Sequence, residues 1–408
     1  MEKLQPALRF PEFINNEEIK KYSFNDLFSF STGKNIKQNE ASPEFDLPCV
    51  RYGELYHMYN EVIKVVINST NLPASELVFS EGNEILLPSA GEDPLDIGSA
   101  SALTLPNVAI GRTINILRPL KKDVYSQLFT SYYINHRLRK KISSLAKGVS
   151  ISNVYNSDLK TLEILLPTLP EQQKIASFLT TVDDKISNLK QKISLLEKYK
   201  KGVMQQIFSQ EIRFKDKNGN DYPEWEEKSL GEVVLIQGGF AFKSQLFGKG
   251  KNKVLRIGDI TNNILNEKFT GVYSVELPND KYKVSKGDFV IALSGATFGK
   301  IGRINDNFEY YINQRVATFR TEQCLNFFFY VMQNHKFIEY IQSIPSTGAQ
   351  PNISNDDIGR FTFSVPSMEE QTKIAEFLSG IDEKIETTKA QLSKMEAWKK
   401  GLLQGMFC

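Results

Sequence analysis

Little in this chain invites covalent or metal chemistry. Three cysteines (Cys49, Cys324, Cys408) and three histidines (His57, His136, His335) are scattered over 408 residues, too few and too far apart for a disulfide framework or a zinc site. No stretch approaches the roughly 20 apolar residues that span a bilayer, and the opening MEKLQPALRFPEF has no apolar core of a signal peptide. A soluble protein of a reducing cytoplasm, with no membrane partner, is the expectation. An excess of one charge is missing too, since 50 Lys plus Arg against 48 Asp plus Glu leave a formal charge of +2. That balance neither demands nor excludes nucleic acid, because binding needs a local basic face and not a basic total.

Nucleotide and catalytic motifs are equally scarce. SGATFGKIG (Ser294 to Gly302) is one residue short of a phosphate loop between its glycines and has Ile301 where Ser or Thr should hold magnesium. GKG at Gly248 to Gly250 stands without the rest of a dinucleotide fingerprint, and no Asn-Pro-Pro or Asp-Pro-Pro is present for amino-methyl transfer. Glu226 and Lys228 form a Glu-x-Lys pair of the sort nucleases use, but no upstream carboxylate accompanies it. His136 and His335 fall at matching positions of two predicted helices, which favours a structural role. No catalytic residue, metal or cofactor is expected, and the chain reads as non-catalytic by itself.

What the sequence has in abundance is itself, twice. Pro167 to Ser209 matches Pro366 to Cys408 without a gap, with 19 identical residues in 43, where average composition gives roughly two or three. The repeat extends upstream more faintly. VYNSDLKTLEILLP (Val154 to Pro167) aligns with ISNDDIGRFTFSVP (Ile353 to Pro366) at the same offset of 199, and Asn135-His136 aligns with Asn334-His335. Further back the offset becomes 205: VRYGEL (Val50 to Leu55) meets LRIGDI (Leu255 to Ile260), and GNEILLPS (Gly82 to Ser89) meets GDFVIALS (Gly287 to Ser294). RFPEF at Arg9 to Phe13 resembles Arg213-Phe214 followed by PEW at Pro223 to Trp225. Each half is thus a variable globular region followed by a matched helical segment.

The matched segment predicts a long helix. Pro170 suits its first turn and Glu171 the positive end of its dipole. Apolar residues at Ile175, Leu179, Val182, Ile186, Leu189, Ile193 and Leu196 step by fours and threes, a heptad seam, and the apolar series continues through Tyr199, Val203 and Ile207. The second copy gives Ile374, Leu378, Ile381, Ile385, Thr388, Leu392 and Met395, then Trp398, Leu402 and Met406. A straight helix from Glu171 to Phe208 would be about 55 Å long. Packing on its own globular region is one reading of each helix. The matching seams favour the other, in which Leu179, Val182, Ile186, Ile193 and Leu196 pair with Leu378, Ile381, Ile385, Leu392 and Met395. Chain order favours an antiparallel pair, because a parallel one would have to bridge about 55 Å back.

The globular halves read as α+β. Glu84 to Pro88, Val108 to Pro119, Asp288 to Ser294 and Tyr310 to Arg320 predict strands, and Tyr125 to Ala146 and Leu325 to Ile344 predict helices. The fold class expected is therefore two similar globular domains, residues 1–166 and 211–365, with long helices at 167–210 and 366–408 pairing as an antiparallel coiled coil of pseudo-two-fold symmetry. Basic stretches lie in the globular regions. KSQLFGKGKNKVLR (Lys243 to Arg256) gathers five cations and HRLRKK (His136 to Lys141) four, each a potential phosphate clamp or an ordinary solvated surface. NQR (Asn313 to Arg315) and TGAQPNIS (Thr347 to Ser354) offer side chains that can bind base edges, or simple turns.

These residues together resemble the specificity subunit of a type I restriction-modification system. The resemblance covers essentially the whole chain and rests on LPEQQKIASFL with MEEQTKIAEFL, KKGVMQQIF with KKGLLQGMF, and TGAQPNIS with SGATFGKIG; KGVSISNV from Lys147 is a divergent counterpart of TGAQPNIS. It implies a non-catalytic reader of double-stranded DNA whose two target recognition domains bind the two parts of an interrupted, asymmetric sequence. The helices would set the gap and help dock two modification (methyltransferase) subunits, with restriction (ATP-dependent translocase and endonuclease) subunits as further partners. DNA contacts are then expected at Lys243, Lys249, Ser294, Thr297, Lys300, Arg315, Gln350 and Asn352 in the second domain, and at Lys34, Asn35, Lys37, Ser89 and Asn153 in the first. The competing reading is a coiled-coil scaffold whose duplicated domains bind proteins and not DNA.

Overall fold

The apolar runs of the globular regions are short, four to six residues between Gly, Asn and Pro, so they form many small strands instead of one broad sheet. The computed structural model describes residues 6–15, 19–148, 150–261, 263–264, 269, 271–295, 298–344 and 352–407. They form two compact units, one made of residues 1–191 with 389–408 and the other of residues 192–388.

In the first unit a four-stranded sheet runs in the order Asn68–Thr70, Leu47–Val50, Pro106–Ile110, Phe79–Glu81. A five-stranded sheet runs in the order Phe28–Thr32, Ile114–Pro119, Glu84–Pro88, Ser101–Leu103, Val62–Ile63. The second unit repeats both orders. Its four-stranded sheet is Tyr273–Ser274, Phe247–Leu255, Tyr310–Ile312, Lys283–Val284, and its five-stranded sheet is Leu235–Gly238, Val316–Arg320, Phe289–Ala292, Ile301–Ile304, Asn263–Ile264. A two-stranded ladder, Lys20–Ser23 with Glu163–Leu166 or Glu226–Ser229 with Thr362–Val365, leads into each long helix. The α+β reading holds, and the faint upstream repeat is a repeat of topology.

Two of the strand expectations need correction. Val108 to Pro119 and Tyr310 to Arg320 each read as one strand, but each is two, because the chain leaves the four-stranded sheet and enters the five-stranded one through a three-residue turn. The predicted helix from Tyr125 to Ala146 is likewise interrupted by a π-helical stretch at Ile134–Leu138. That from Leu325 to Ile344 breaks at Asn334, whose side chain accepts the Lys336 N–H and caps the helix His335–Ser343.

The matched segments are helices Leu169–Phe208 and Met368–Met406. Each contributes one end to each unit. In the first unit Ile175, Leu179, Val182 and Ile186 share a core with Leu392, Met395, Leu402 and Met406. In the second, Leu196, Val203, Met204 and Ile207 share one with Ile374, Leu378, Ile381 and Ile385. Ile193 is half-buried. Within each unit the two segments run antiparallel: Leu8 donates its N–H to Gly405 O while Arg9 binds Glu171, joining the start of one helix to the end of the other.

Tyr199 and Trp398 do not continue the seam; they are 52% and 48% exposed. They follow Leu196 and Met395 by three residues where the heptad needs four. The fourth residue is Lys200 in one helix and Lys399 in the other, and these point inward. Lys399 Nζ lies 2.7 Å from Asp183 and 3.2 Å from Glu61, and Lys200 Nζ lies 2.7 Å from Asp382. Tyr132 donates its hydroxyl to Asp183 and Tyr330 donates to Asp382, at 2.5 and 2.8 Å. A second duplicated polar pair seals each helix start. Arg9 donates to both Glu171 oxygens at 2.8 and 2.6 Å, while Arg213 and the Trp225 indole donate to Glu370, each at 2.9 Å.

Candidate nucleic-acid interface

In each unit the loops that join the two sheets meet at a backbone crossing. Gly33 and Gly239 lie so close to the neighbouring strand that an added Cβ would sit 2.1 Å from Gly111 O and Asn313 O respectively, which explains why no larger residue is accommodated there. Around the first crossing Lys34 N–H donates to Ile110 O at 3.0 Å, Arg112 N–H to Asn35 O at 2.9 Å, Ser89 N–H to Thr113 O at 2.8 Å, and Val154 N–H to Ser89 O at 2.9 Å. Three distant stretches, carrying Lys34 with Asn35, Ser89 and Asn153, are thereby held around residues 110–113, and Asn35 also donates its side-chain amide to Glu76 O. Asn153 faces Ala90 in a short antiparallel ladder.

The second crossing is built alike. Phe240 N–H donates to Ile312 O, Asn313 N–H to Leu255 O, Leu293 N–H to Arg315 O, and Ile353 N–H to Leu293 O, all at 2.9 to 3.0 Å. Arg315 is exposed here, and Ser294 bridges Asn352. Lys37 and Lys243 occupy equivalent places, each preceding a short 3-10 helix, and both are exposed. Lys300 closes the hairpin after Ala292, to whose N–H its carbonyl is bonded, and Lys249 lies in the bulged part of strand Phe247–Leu255. Thr297 and Gln350 lie outside the described residues.

The shared bonds correct one alignment. The faint repeat puts Ser89 opposite Ser294, but Ser89 takes the place of Leu293 and Ala90 that of Ser294. A one-residue shift in a strand turns a side chain to the other face. Ser294 is accordingly buried, and its hydroxyl has no partner among the described residues.

Reasoning from sequence missed Arg112. It lies inside a run that reads as a single strand, so nothing marked it as a turn residue. The signals that could have found it are the paired Gly-Lys at 33–34 and Gly-Phe at 239–240, which mark the crossings from the other side.

The other candidates have local partners. Glu226 and Lys228 form an exposed ion pair at 2.8 Å on one strand, and Lys228 draws the Glu226 pKa below the usual carboxylate range. His136 packs against Phe407 in the first unit, and its pKa is lowered by burial and by Arg137. Among the described residues no group of His, Cys, Asp or Glu is placed to hold a metal ion, and no helix is long and apolar enough to cross a membrane.

A duplicated scaffold that carries a similar loop crossing in each copy defines a paired recognition protein. The sequence matches the type I restriction modification DNA specificity domain twice, over residues 16–198 and 222–397, and the chain belongs to that family. Its relatives include the MjaVIII specificity subunit of Methanocaldococcus jannaschii, 29% identical over 70% of this chain and 71% of that one. The EcoKI specificity subunit of Escherichia coli is 21% identical over 88% of this chain and 80% of that one. The crystal structure of a type I restriction-modification S subunit from M. genitalium shares the fold, with a TM-score of 0.66 over 99% of both chains at 21% identity. The chain is a specificity subunit, the non-catalytic member of such a system.

Proposed function

We propose that this chain reads a bipartite, asymmetric DNA sequence, one half through residues 1–166 and the other through residues 211–365. The helical segments 167–210 and 366–408 pair as a spacer that sets the gap and docks two modification subunits, to which restriction subunits add. The chain works in the cytoplasm. The observation that carries this reading is the duplication of one scaffold, with its loop crossing, in two regions of divergent sequence. Equal architecture gives two readers, and unlike side chains give two half-sites. Dimeric DNA-binding proteins reach the same end with two-fold symmetric half-sites, whereas a single chain is free to make its halves differ.

Lys34, Asn35, Lys37, Ser89 and Asn153 face one half-site in this account, and Lys243, Lys249, Thr297, Lys300, Arg315, Gln350 and Asn352 the other, while the buried Ser294 belongs to the second crossing without facing DNA. Leu179, Val182, Ile186, Ile193 and Leu196 pair with Leu378, Ile381, Ile385, Leu392 and Met395 along the spacer. The test is methylome sequencing of a host that expresses this chain with its modification partner. Adenine methylation confined to one interrupted sequence with unlike halves supports the reading. Methylation of a continuous palindrome, or none that depends on this chain, refutes it and favours the protein scaffold.

A further inference from the structure

The turn Gly111–Thr113 joins strand Pro106–Ile110 of one sheet to strand Ile114–Pro119 of the other. Arg112 at its tip is exposed, and no partner of its side chain is found among the described residues. Its backbone, by contrast, is pinned on every side. Gly111 N–H donates to Val50 O at 2.8 Å, Arg112 N–H to Asn35 O, and Thr113 O accepts Ser89 N–H. Thr113, Asn35 and Ile36 hold φ of 67°, 49° and 58°, three of the five non-glycine residues with positive φ among those described. Such angles are unfavourable for β-branched Thr and Ile, and clustered strain of this kind marks places where geometry serves function. A guanidinium without a partner among the described residues thus stands on a backbone that is tightly held.

The second unit has a turn in the equivalent place with a different tip, though without the positive φ angles. Its backbone bonds through Asn313 and Arg315 repeat those through Gly111 and Thr113, which puts Gln314 where Arg112 stands. Gln314 is also exposed, and its side chain too has no partner among the described residues. In the major groove Arg bonds guanine O6 and N7 in bidentate fashion, and Gln bonds adenine N6 and N7.

We infer that Arg112 and Gln314 are equivalent base-reading residues, one per reader, with Arg112 selecting guanine in one half-site and Gln314 selecting adenine in the other. The inference rests on the two-reader function proposed above and names a determinant within it. The experiment uses the full chain assembled with its modification subunits. Methylation rates are measured on duplexes carrying each base at every position of both halves, for the parent, Arg112→Gln, Arg112→Lys and Gln314→Ala. Arg112→Gln and Arg112→Lys should lower preference for guanine at one position by about 5- to 150-fold and leave the other half unchanged, with Gln314→Ala doing the converse at an adenine. Unchanged preference in all three variants overturns the inference. So does a loss that is uniform across sequences, as a phosphate contact would give. Failure of the underlying reading is separable, because the parent complex itself would then show no two-part site.

Discussion

Replacing Lys399 by Met isolates the inward lysine of the helix seam. Met keeps the length and apolar stem but removes the charge that faces Asp183 at 2.7 Å and Glu61 at 3.2 Å. Breaking a fully buried ion pair costs about 3–5 kcal/mol, and an exposed one about 0–1 kcal/mol. The side chains here are 17%, 22% and 16% exposed, and two carboxylates lose their counter-charge together. A loss of about 2–3 kcal/mol follows from that intermediate burial. Lys200→Met removes one pair only, to an Asp382 that is 34% exposed, and should cost about 1–2 kcal/mol. Urea unfolding reads the two units separately, because the two tryptophans are Trp398 in the first and Trp225 in the second, and replacing one by Phe leaves the other as reporter. Burial works against the Lys399 charge, but Glu61 and Asp183 outweigh it and raise its pKa. Its contribution is therefore fully present below the unfolded value of about 10.4 and is lost as pH rises through the raised folded value. The gap between parent and variant should stay level from neutral pH to about 10 and close above it. A loss under about 0.5 kcal/mol, or a larger loss for Lys200→Met than for Lys399→Met, would refute the reasoning.

Three further outcomes follow from the geometry. Gly33→Ala and Gly239→Ala each drive a methyl into a carbonyl oxygen, so each should cost at least about 1–3 kcal/mol in urea unfolding of its own unit. Glu370→Gln leaves Arg213 with a neutral partner at a site where the carboxylate is fully buried, and about 2–4 kcal/mol should be lost, read through Trp225 fluorescence. Lys34→Ala and Lys243→Ala should each flatten the salt dependence of DNA binding by the assembled complex by about one unit of log K per log salt, without changing the sequence bound.

The long helices were legible because a matched run of 43 residues with a heptad step leaves few alternatives. Glu84–Pro88 was legible as well, its run Ile85 to Leu87 being bounded by Asn83 on one side and Pro88 and Ser89 on the other. The two seam lysines were not, since a cation at a seam position reads as an error in the period until its acid partners are seen. The sheet-switching turns at 111–113 and 313–315 were hidden for a different reason. Both flanking strands are apolar, so three polar or small residues between them read as a short interruption of one strand, and only the pairing partners reveal the change of sheet. Of the expected DNA-facing residues, Lys34, Asn35, Ser89 and Asn153 converge on one crossing and Arg315, Ser294 and Asn352 on the other. Gln314 lies in the NQR run that the sequence already marks as able to bind base edges, whereas Arg112 came from the fold alone.

The central claim is that each half of the chain specifies one half of the target. It is tested most directly by exchanging residues 211–365 for those of another family member and sequencing the methylome of cells that express the hybrid with the modification subunits. The account predicts a new interrupted site in which one half is replaced and the other is retained. A site changed in both halves, or in neither, would contradict it.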